Sequence, residues 1–346
     1  MIKSERIKSL SDLLESNLEK ILDSHQMDLY SMMRHHLGWQ NENDKPKNDT
    51  QTYRKHGVTC LTVCQILGGD IKIALPAAAS LELVNAFCEI HDDVQGGNPK
   101  RGNRDAVWWL WGPAQAINAG DGIHALARLT LFQLHGVGVP PDKTFEAIQI
   151  VDKASLELCE GRFQDLESQE RIDISVNNYL EMASLKTGSL YSCAMELGAL
   201  ISSADNTVTQ SFKTSGYKLG LAIQIKNDIK ALWEEKDVHQ LPNPEVLNKK
   251  KLLPVVYALE KATIGEKRRL GEIYFKRVLD PEDIPCLQGI LEELGAKKHC
   301  EELVEKYQQQ ALGIIEPSLS SDGVTSIHAL VDWIFDPYTH AKTYQI

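Results

Sequence analysis

Two adjacent aspartates, Asp92 and Asp93, close a long apolar segment and could bind a cation. Residues 71–91 are almost all apolar, with the spacing of a helix. Carboxylates at the end of a buried helix are costly unless a cation pairs with them. Lys100 and Arg101 follow a Gly-Gly-Asn-Pro turn and supply positive charge near the pair. For such a pair taken alone, a solvent-facing helix end is the alternative interpretation.

A second polar face is predicted on a helix over residues 221–235. Its members recur at spacings that place them on one side of the helix: Gln224, Asn227, Asp228, Ala231 and Glu235. Apolar neighbours on both sides indicate that this face points inward. Mg²⁺ binds few carboxylates and completes its shell with water and substrate phosphates. If the two acidic faces lie opposite each other, they predict a magnesium site for a phosphate-bearing substrate.

These residues must be positioned by helices, because helical periodicity dominates the chain. Apolar positions repeat with helical spacing over 7–37, and a polar loop follows at 41–50. Further helical segments follow: 71–91, 114–134, 144–168, 178–204, 208–236 and 250–274. We find no convincing pairs of alternating strands and no repeat. The sequence predicts one all-α domain of roughly ten or more helices.

Composition limits the classes of function. The chain has 346 residues, a formal net charge of −11 and 42% hydrophobic residues. Its negative charge argues against binding to nucleic acid or to an anionic membrane. No apolar run reaches membrane-spanning length, and the N-terminal residues lack the apolar core of a signal peptide. The seven cysteines show no paired spacing, which favours reduced thiols. We expect a soluble, cytoplasmic protein.

Several stretches resemble the trans-isoprenyl diphosphate synthase superfamily, in the same order, from about Arg54 to Ala258. They are CQILGGD at 64–70, NPKRGNRDAVW at 98–108, AQAINAGD at 114–121, LKTGSL at 185–190, LAIQIKND at 221–228 and KKLLPVVYALE at 250–260. The resemblance implies an isoprenoid synthase fold, a single helical bundle around a central cavity, and a homodimer. Within a single domain over 1–346, it places N-terminal helices and a polar loop at 1–52, a catalytic core at 53–275 and C-terminal helices at 276–346.

The resemblance also implies roles for particular residues. In the family, two DDxxD motifs hold several Mg²⁺ ions on the diphosphate of an allylic substrate. Carried onto this chain, the metal ligands are Asp92, Asp93, Asn227 and Asp228, and the diphosphate ligands are Arg101, Lys186, Thr187, Gln224 and Lys251. Glu235 joins the metal ligands because Asn227, Ala231 and Glu235 resemble the Asn/Ser/Glu triad of class I terpene synthases, with alanine in place of serine. Gly96 stands where the first motif has its third aspartate.

The site for a second substrate departs from the family pattern. Elongating members bind isopentenyl diphosphate through a GKRxRP-type motif, a histidine and the second arginine of an RR pair. In that register this chain has Tyr53, Arg54 and His56, then Asn85, then Gly102 after Arg101. Charge-assisted contacts to a diphosphate are worth about 1.5–3 kcal/mol each. Losing most of them predicts that isopentenyl diphosphate does not bind.

A site that ionises an allylic diphosphate without an acceptor is typical of a class I terpene synthase. We therefore expect a lyase that converts a linear or already cyclised C15–C20 allylic diphosphate, such as a diterpene precursor, to a hydrocarbon or an alcohol. Val84, Phe87 and Tyr191 are candidates for the pocket lining, with core packing as the alternative. Two other functions stay open: a chain-elongating farnesyl or geranylgeranyl diphosphate synthase, and a non-catalytic partner subunit of one.

Overall fold

The chain is described by a computed structural model that covers residues 2–41, 53–169, 171, 173–234, 243–274, 276 and 278–336. Contacts between residues divide it into two compact units. Unit 1 consists of Met1–Ser155, Leu190–Lys213 and Ile314–Ile346, and unit 2 of Leu156–Ser189 and Thr214–Gly313. The expectation of a single domain, with its inner boundaries near residues 52 and 275, stays a prediction.

Helices make up nearly all of the described chain, as predicted. The first ten are α1 (Ile2–Asp23), α2 (Asp28–Leu37), α3 (Lys55–Ile66), α4 (Ile71–Gly96), α5 (Val107–Trp111), α6 (Pro113–Gly136), α7 (Pro141–Gln169), α8 (Val176–Ala183), α9 (Ser189–Ile201) and α10 (Asn206–Trp233). The others are α11 (Pro244–Leu247), α12 (Leu253–Lys261), α13 (Ile264–Tyr274), α14 (Asp283–Glu293), α15 (Ala296–Ile315) and α16 (Ser321–Phe335). A short 3₁₀ turn, Glu316–Ser318, separates the last two helices.

Helix α4 is the apolar helix that carries Asp92 and Asp93 in unit 1. Asp70 caps its first turn by accepting a hydrogen bond from the Lys72 N–H group at 2.9 Å. The helix continues to Gly96 and ends where Gly97 adopts a left-handed conformation. The apolar pattern predicted that the helix ends at the aspartates, but it continues for three more residues after Asp93. Both carboxylates therefore project from regular helix.

Burial accounts for the apolar character of α4. Among the described helices, it is long and apolar enough to cross a membrane, yet 72% of its most apolar stretch is buried inside the protein. A core helix of a soluble protein has the same length and composition, so α4 is weak evidence for a membrane span. It packs against α3 and α6. A Cβ atom at Gly120 of α6 would lie 2.2 Å from Nε2 of His91, so this glycine permits the close approach.

A short hairpin follows α4 and was not predicted. Strands β1 (Lys100–Arg101) and β2 (Arg104–Asp105) pair antiparallel, and Gly102 lies in the turn with a φ of 58°. Each strand has two residues, too few to show alternation in the sequence. The hairpin fixes the position of Arg101 relative to the end of α4.

Two further departures fall in unit 2. The helix predicted over 178–204 contains a π-helical segment, Ser184–Gly188, between α8 and α9. The helix predicted over 250–274 is divided into α12 and α13, and Lys250 and Lys251 precede it. Helical spacing continues through both irregularities, so periodicity alone does not reveal them.

Candidate functional site

The candidate residues lie in two groups, one in each unit. We call the group around the end of α4 in unit 1 the Asp92 group. The group formed by α7, the π-helical segment, α10 and the residues before α12 in unit 2 is the Asp228 group.

In the Asp92 group, Asp93 and Arg101 bind each other. Asp93 is 2% exposed, and Arg101 donates to its two carboxylate oxygens, from Nε at 2.9 Å and from Nη2 at 2.8 Å. Burial raises the pKa of Asp93, and the bonds from Arg101 oppose this. The structure thus brings together a predicted metal ligand and a predicted diphosphate ligand as an ion pair.

A polar stripe along α4 continues from Asp93 and was missed by the sequence analysis. Glu82, Asn85, Glu89 and Asp93 share one face of the helix. Glu89 lies 3.6 Å from Arg101, accepts a hydrogen bond from Asn85, and lies 3.3 Å from Nε2 of His36. Burial alone would raise the pKa of Glu89, but Arg101 and His36 hold it well below its ordinary value. These residues recur at intervals of three or four before Asp93, and this spacing in the sequence could have indicated the polar face.

Asp92 lies beside this network on α4 and is half-buried. Its side chain points to a different part of the helix surface from Asp93, because successive residues on a helix are about 100° apart. Gly96, which occupies the position of the motif's third aspartate, is exposed.

Arg54 is the basic residue that this chain keeps at the positions of the GKRxRP-type motif, and it pairs with groups inside the protein. Arg54 is 4% exposed, and it donates to Glu15 from Nε at 2.8 Å and from Nη2 at 3.0 Å. Nη2 also donates to the carbonyl oxygen of Leu37 at 2.9 Å. Trp39 donates to Glu15 as well. The guanidinium of Arg54 is therefore part of a buried structural ion pair.

The predicted pocket residues lie in unit 1 among other aromatic rings. Val84 is fully buried, and Tyr191 is 3% exposed. The Phe87 ring centroid lies 4.7 Å from that of His91 and 4.8 Å from that of His124. Whether these residues line a substrate cavity stays a prediction.

In the Asp228 group, Asp228 is 2% exposed and accepts hydrogen bonds from three donors. The Tyr179 hydroxyl and the Leu253 N–H group donate to Oδ2, the latter at 2.7 Å, and Gln224 donates to Oδ1 at 2.9 Å. Burial raises the pKa of Asp228 to about 6. In this structure the predicted metal ligand joins α8, α10 and the start of α12.

The remaining residues of the second motif differ in exposure. Asn227 is exposed on α10, one position before Asp228. Gln224 also accepts a hydrogen bond from the Thr187 hydroxyl at 2.5 Å, so two predicted diphosphate ligands contact each other. Glu235 lies outside the described residues, and its predicted role as a metal ligand is not tested.

Lys186 belongs to a buried charge cluster. Its Nζ atom lies 2.6 Å from Oδ2 of Asp165, and Nζ of Lys250 lies 3.3 Å from the same oxygen. Lys250 also contacts Glu245. Burial and the neighbouring Lys250 lower the pKa of Lys186. Of this cluster, only Lys186 was predicted from the sequence. The spacing of Asp165, Glu245 and Lys250 does not show that their side chains meet.

A cavity of about 200 Å³ opens beside Lys251 in unit 2. Its lining includes Gln164, Arg171, Asn178, Tyr179 and Lys251. Nζ of Lys251 donates to the Gln169 carbonyl oxygen at 3.3 Å and lies 5.2 Å from the centroid of the Tyr274 ring. The cavity is also lined by two carboxylates, Glu167 and Glu181, so two cationic and two acidic side chains reach it.

Each unit carries an oxygen donor of the kind that binds Mg²⁺ together with a diphosphate. Across the described ranges, no group of three or more His, Cys, Asp or Glu side chains forms a ready-made metal site. Mg²⁺ needs only one or two protein carboxylates when substrate phosphates and water complete its shell. The half-buried Asp92 and the exposed Asn227 amide are donors of the required hard type.

Comparisons with known proteins agree on the family. The polyprenyl synthetase family model matches residues 50–291. The geranylgeranyl diphosphate synthase of Mycobacterium tuberculosis is 27% identical over 91% of this chain and 89% of its own length.

Solved structures show the same similarity. A polyprenyl synthetase from Streptomyces coelicolor superimposes with a TM-score of 0.83 at 27% identity, covering 95% of this chain and 98% of that one. A geranylgeranyl pyrophosphate synthetase from Pyrococcus horikoshii gives a TM-score of 0.85 at 25% identity, covering 96% and 98%. The chain has the all-α isoprenoid synthase fold predicted from its sequence, and it belongs to the polyprenyl synthetase family of trans-isoprenyl diphosphate synthases.

Proposed function

We propose that this enzyme ionises an allylic isoprenoid diphosphate of C15–C20 length in a Mg²⁺-dependent reaction. Membership of the family supports an allylic diphosphate as the substrate. The lysines and oxygen donors described above support the ionisation step, which elongating and terpene-forming enzymes share.

The residues of this chain act on the leaving diphosphate and its metal. Asp92 in unit 1 and Asn227 in unit 2 are each an oxygen donor suited to Mg²⁺, which, when bound, would stabilise the negative charge that develops on the diphosphate. The largely buried Lys186 and Lys251 supply positive charge in unit 2. Such charges contribute most when they are positioned before the reaction and partly shielded from water.

The fate of the carbocation separates two candidate functions. The named functions of the relatives, geranylgeranyl and farnesyl diphosphate synthases, favour chain elongation over the terpene synthase expected from the sequence. Elongation requires isopentenyl diphosphate as a second substrate.

The geometry of unit 1 favours a reaction without that second substrate, and we adopt it as our proposal. The supporting observation is the pairing of Arg54 with Glu15. This pairing engages the basic side chain that the GKRxRP-type motif would use to bind isopentenyl diphosphate. Burial lowers the pKa of His56 to about 4, so this replacement for an arginine is neutral at pH 7. Asn85, in place of a histidine, bonds to the acidic Glu89. These positions therefore offer less positive charge to an anionic diphosphate than the family pattern does.

Product analysis distinguishes the candidates. Purified protein is incubated with Mg²⁺ and farnesyl or geranylgeranyl diphosphate, with and without isopentenyl diphosphate, and products are identified by gas chromatography and mass spectrometry. We expect a hydrocarbon or alcohol in both reactions. Longer diphosphates formed only with isopentenyl diphosphate would support elongation instead. Absence of turnover in both reactions would support the partner-subunit alternative.

A further inference from the structure

Most of the hydrogen-bonding capacity of Asp228 in unit 2 is taken up by its own protein. A carboxylate offers about four lone pairs. Oδ2 accepts from the Tyr179 hydroxyl and the Leu253 N–H group, and Oδ1 accepts from Gln224, so protein donors occupy three of these positions. Asp228 is also 2% exposed, whereas the preceding residue, Asn227, is exposed. A hydrated metal ion therefore has access to Asn227 and little access to Asp228.

The bond from Leu253 makes Asp228 the cap of α12. The first N–H groups of a helix have no partner within the helix. The residue before this helix, Leu252, has an apolar side chain that cannot accept a hydrogen bond, and Pro254 has no N–H group. Asp228 supplies from α10 the acceptor and the negative charge that stabilise the start of a helix. Lys251 lies two residues before Leu253, so this bond fixes the backbone that carries Lys251.

The bond from Gln224 connects Asp228 to the π-helical segment. Nε2 of Gln224 donates to Asp228 at 2.9 Å, and Oε1 of Gln224 accepts from the Thr187 hydroxyl at 2.5 Å. Because the amide is bonded through both its nitrogen and its oxygen, its orientation is fixed. The direction of the Thr187 O–H bond is fixed with it. Two hydrogen bonds thus link Asp228 to a side chain that the sequence predicts to bind diphosphate.

We propose that Asp228 is a positioning residue for the diphosphate and not a ligand of Mg²⁺. It holds Thr187 through Gln224, and it holds Lys251 through the capped start of α12. In this assignment Asn227 is the residue of the second motif that binds the metal. The inference rests on the proposed function, because it concerns the site for the diphosphate that the enzyme releases.

The test separates the affinity for diphosphate from the requirement for metal. Inorganic pyrophosphate is titrated into the protein at increasing concentrations of Mg²⁺, and binding is measured by isothermal titration calorimetry. Asp228→Asn should weaken pyrophosphate binding at least about tenfold at saturating Mg²⁺, because bonds to a charged group are lost. The Mg²⁺ concentration that gives half of the maximal affinity should stay within about twofold of wild type, whereas Asn227→Ala should raise it at least about tenfold.

A second variant keeps the charge of Asp228 and removes one of its donors. Tyr179→Phe should weaken pyrophosphate binding about threefold and leave the Mg²⁺ requirement unchanged. Glu302→Gln, which removes a charge from the exposed surface of α15, is the control and should change neither quantity. Melting temperatures show which variants are folded, and if Asp228→Asn is not, Tyr179→Phe decides the question.

The outcomes distinguish this inference from the proposed function. Weaker pyrophosphate binding with an unchanged Mg²⁺ requirement is the supporting result. A raised Mg²⁺ requirement for Asp228→Asn, with pyrophosphate affinity restored at high Mg²⁺, would identify Asp228 as a metal ligand and overturn the inference. Unchanged pyrophosphate affinity in the folded variants would also overturn it. Diphosphate release from farnesyl diphosphate is measured separately on the wild-type enzyme, and its absence despite pyrophosphate binding would overturn the proposed function alone.

Discussion

Asp92 and Asp93 are neighbours in the sequence with different environments in the structure. Asp93 is buried and paired with Arg101, whereas Asp92 is half-buried on another part of the helix surface. We therefore propose that Asp92 binds the metal and that Asp93, through Arg101, holds the hairpin in place. A pair of identical residues does not reveal this division of roles in the sequence.

Asp92→Asn should abolish diphosphate release without affecting folding. The substitution removes the charge that attracts Mg²⁺, and a half-buried position tolerates a residue of the same shape. Release is measured with a coupled pyrophosphate assay and folding by circular dichroism. Glu301→Gln, on the exposed face of α15, is the matched control and should leave both unchanged. Retention of more than about half of the wild-type rate would rule out Asp92 as an essential metal ligand.

Glu82 should make the stability of the protein depend on pH. Its pKa is raised from an ordinary value of 4.5 to about 7, so between these values the folded protein binds more protons than the unfolded chain. Stability contributed at this site is therefore highest below pH 4.5 and declines as the pH rises to 7. Each unit of pKa shift corresponds to 1.36 kcal/mol, so the decline is about 3 kcal/mol.

Urea unfolding of Glu82→Gln across pH 4.5–8 tests this expectation. The stability of the variant relative to wild type should be lowest at pH 4.5 and should rise by about 3 kcal/mol toward pH 8. A difference that does not change with pH would show that Glu82 has an ordinary pKa in the folded protein.

At the residue scale, the sequence pointed to candidate site residues but to few of their partners. It named Lys186, Asp228 and Arg101, and missed Asp165, Glu82 and Glu89. The missed carboxylates contact groups contributed by other parts of the chain, so their role depends on packing. The position of a residue within a motif does not show which side chains pack against it.

At the scale of elements, the π-helical segment Ser184–Gly188 is held by two closely packed glycines of unit 2. A Cβ atom at Gly161 of α7 would lie 2.4 Å from the backbone nitrogen of Lys186. A Cβ atom at Gly220 of α10 would lie 2.5 Å from Cα of Gly188. Backbones in contact on two sides leave little freedom for Lys186 and Thr187, which project from this segment.

Gly220→Ala should destabilise the protein by about 2 kcal/mol, because the added methyl group meets backbone atoms that cannot rotate away. The change should also weaken diphosphate release by displacing Thr187 from Gln224. Gly289→Ala, in the interior of α14 with open space around it, is the matched control. It should leave stability unchanged or raise it by up to about 1 kcal/mol. Equal melting temperatures for the two variants would contradict the packing argument.

Most helices were predicted because their apolar spacing continues over many residues. The hairpin at Lys100–Asp105, the π-helical segment and the break between α12 and α13 were not predicted. Each involves only a few residues and is determined by contacts with other elements. These irregular segments position Arg101, Lys186 and Lys251, so the least predictable elements carry much of the candidate site.

At the scale of the whole molecule, the homodimer implied by the resemblance stays a prediction with a candidate surface. Leu129 and Phe132, on one face of α6, are 63% and 51% exposed, and Phe145 at the start of α7 is 63% exposed. Exposed apolar groups of this size are typical of a surface that binds a partner. The double variant Leu129→Glu/Phe132→Glu should be monomeric in analytical ultracentrifugation.

Ile264→Glu is the control for this experiment, because Ile264 is 76% exposed in unit 2 and lies on neither α6 nor α7. It should leave the dimer unchanged. A wild-type protein that sediments as a monomer would contradict the expected assembly. The family and the helical fold were predictable from ordered motifs, whereas the assembly and the product depend on surfaces and cavities that one sequence does not display.

We propose that the enzyme ionises an allylic diphosphate without a second isoprenoid. The most direct measurement is the rate of diphosphate release from geranylgeranyl diphosphate at increasing concentrations of isopentenyl diphosphate. Because Arg54 is paired with Glu15 and His56 is neutral, we predict a rate that does not rise with isopentenyl diphosphate. A rate that is negligible without isopentenyl diphosphate and saturates as it is added, with longer diphosphates accumulating, would show that the enzyme elongates its substrate.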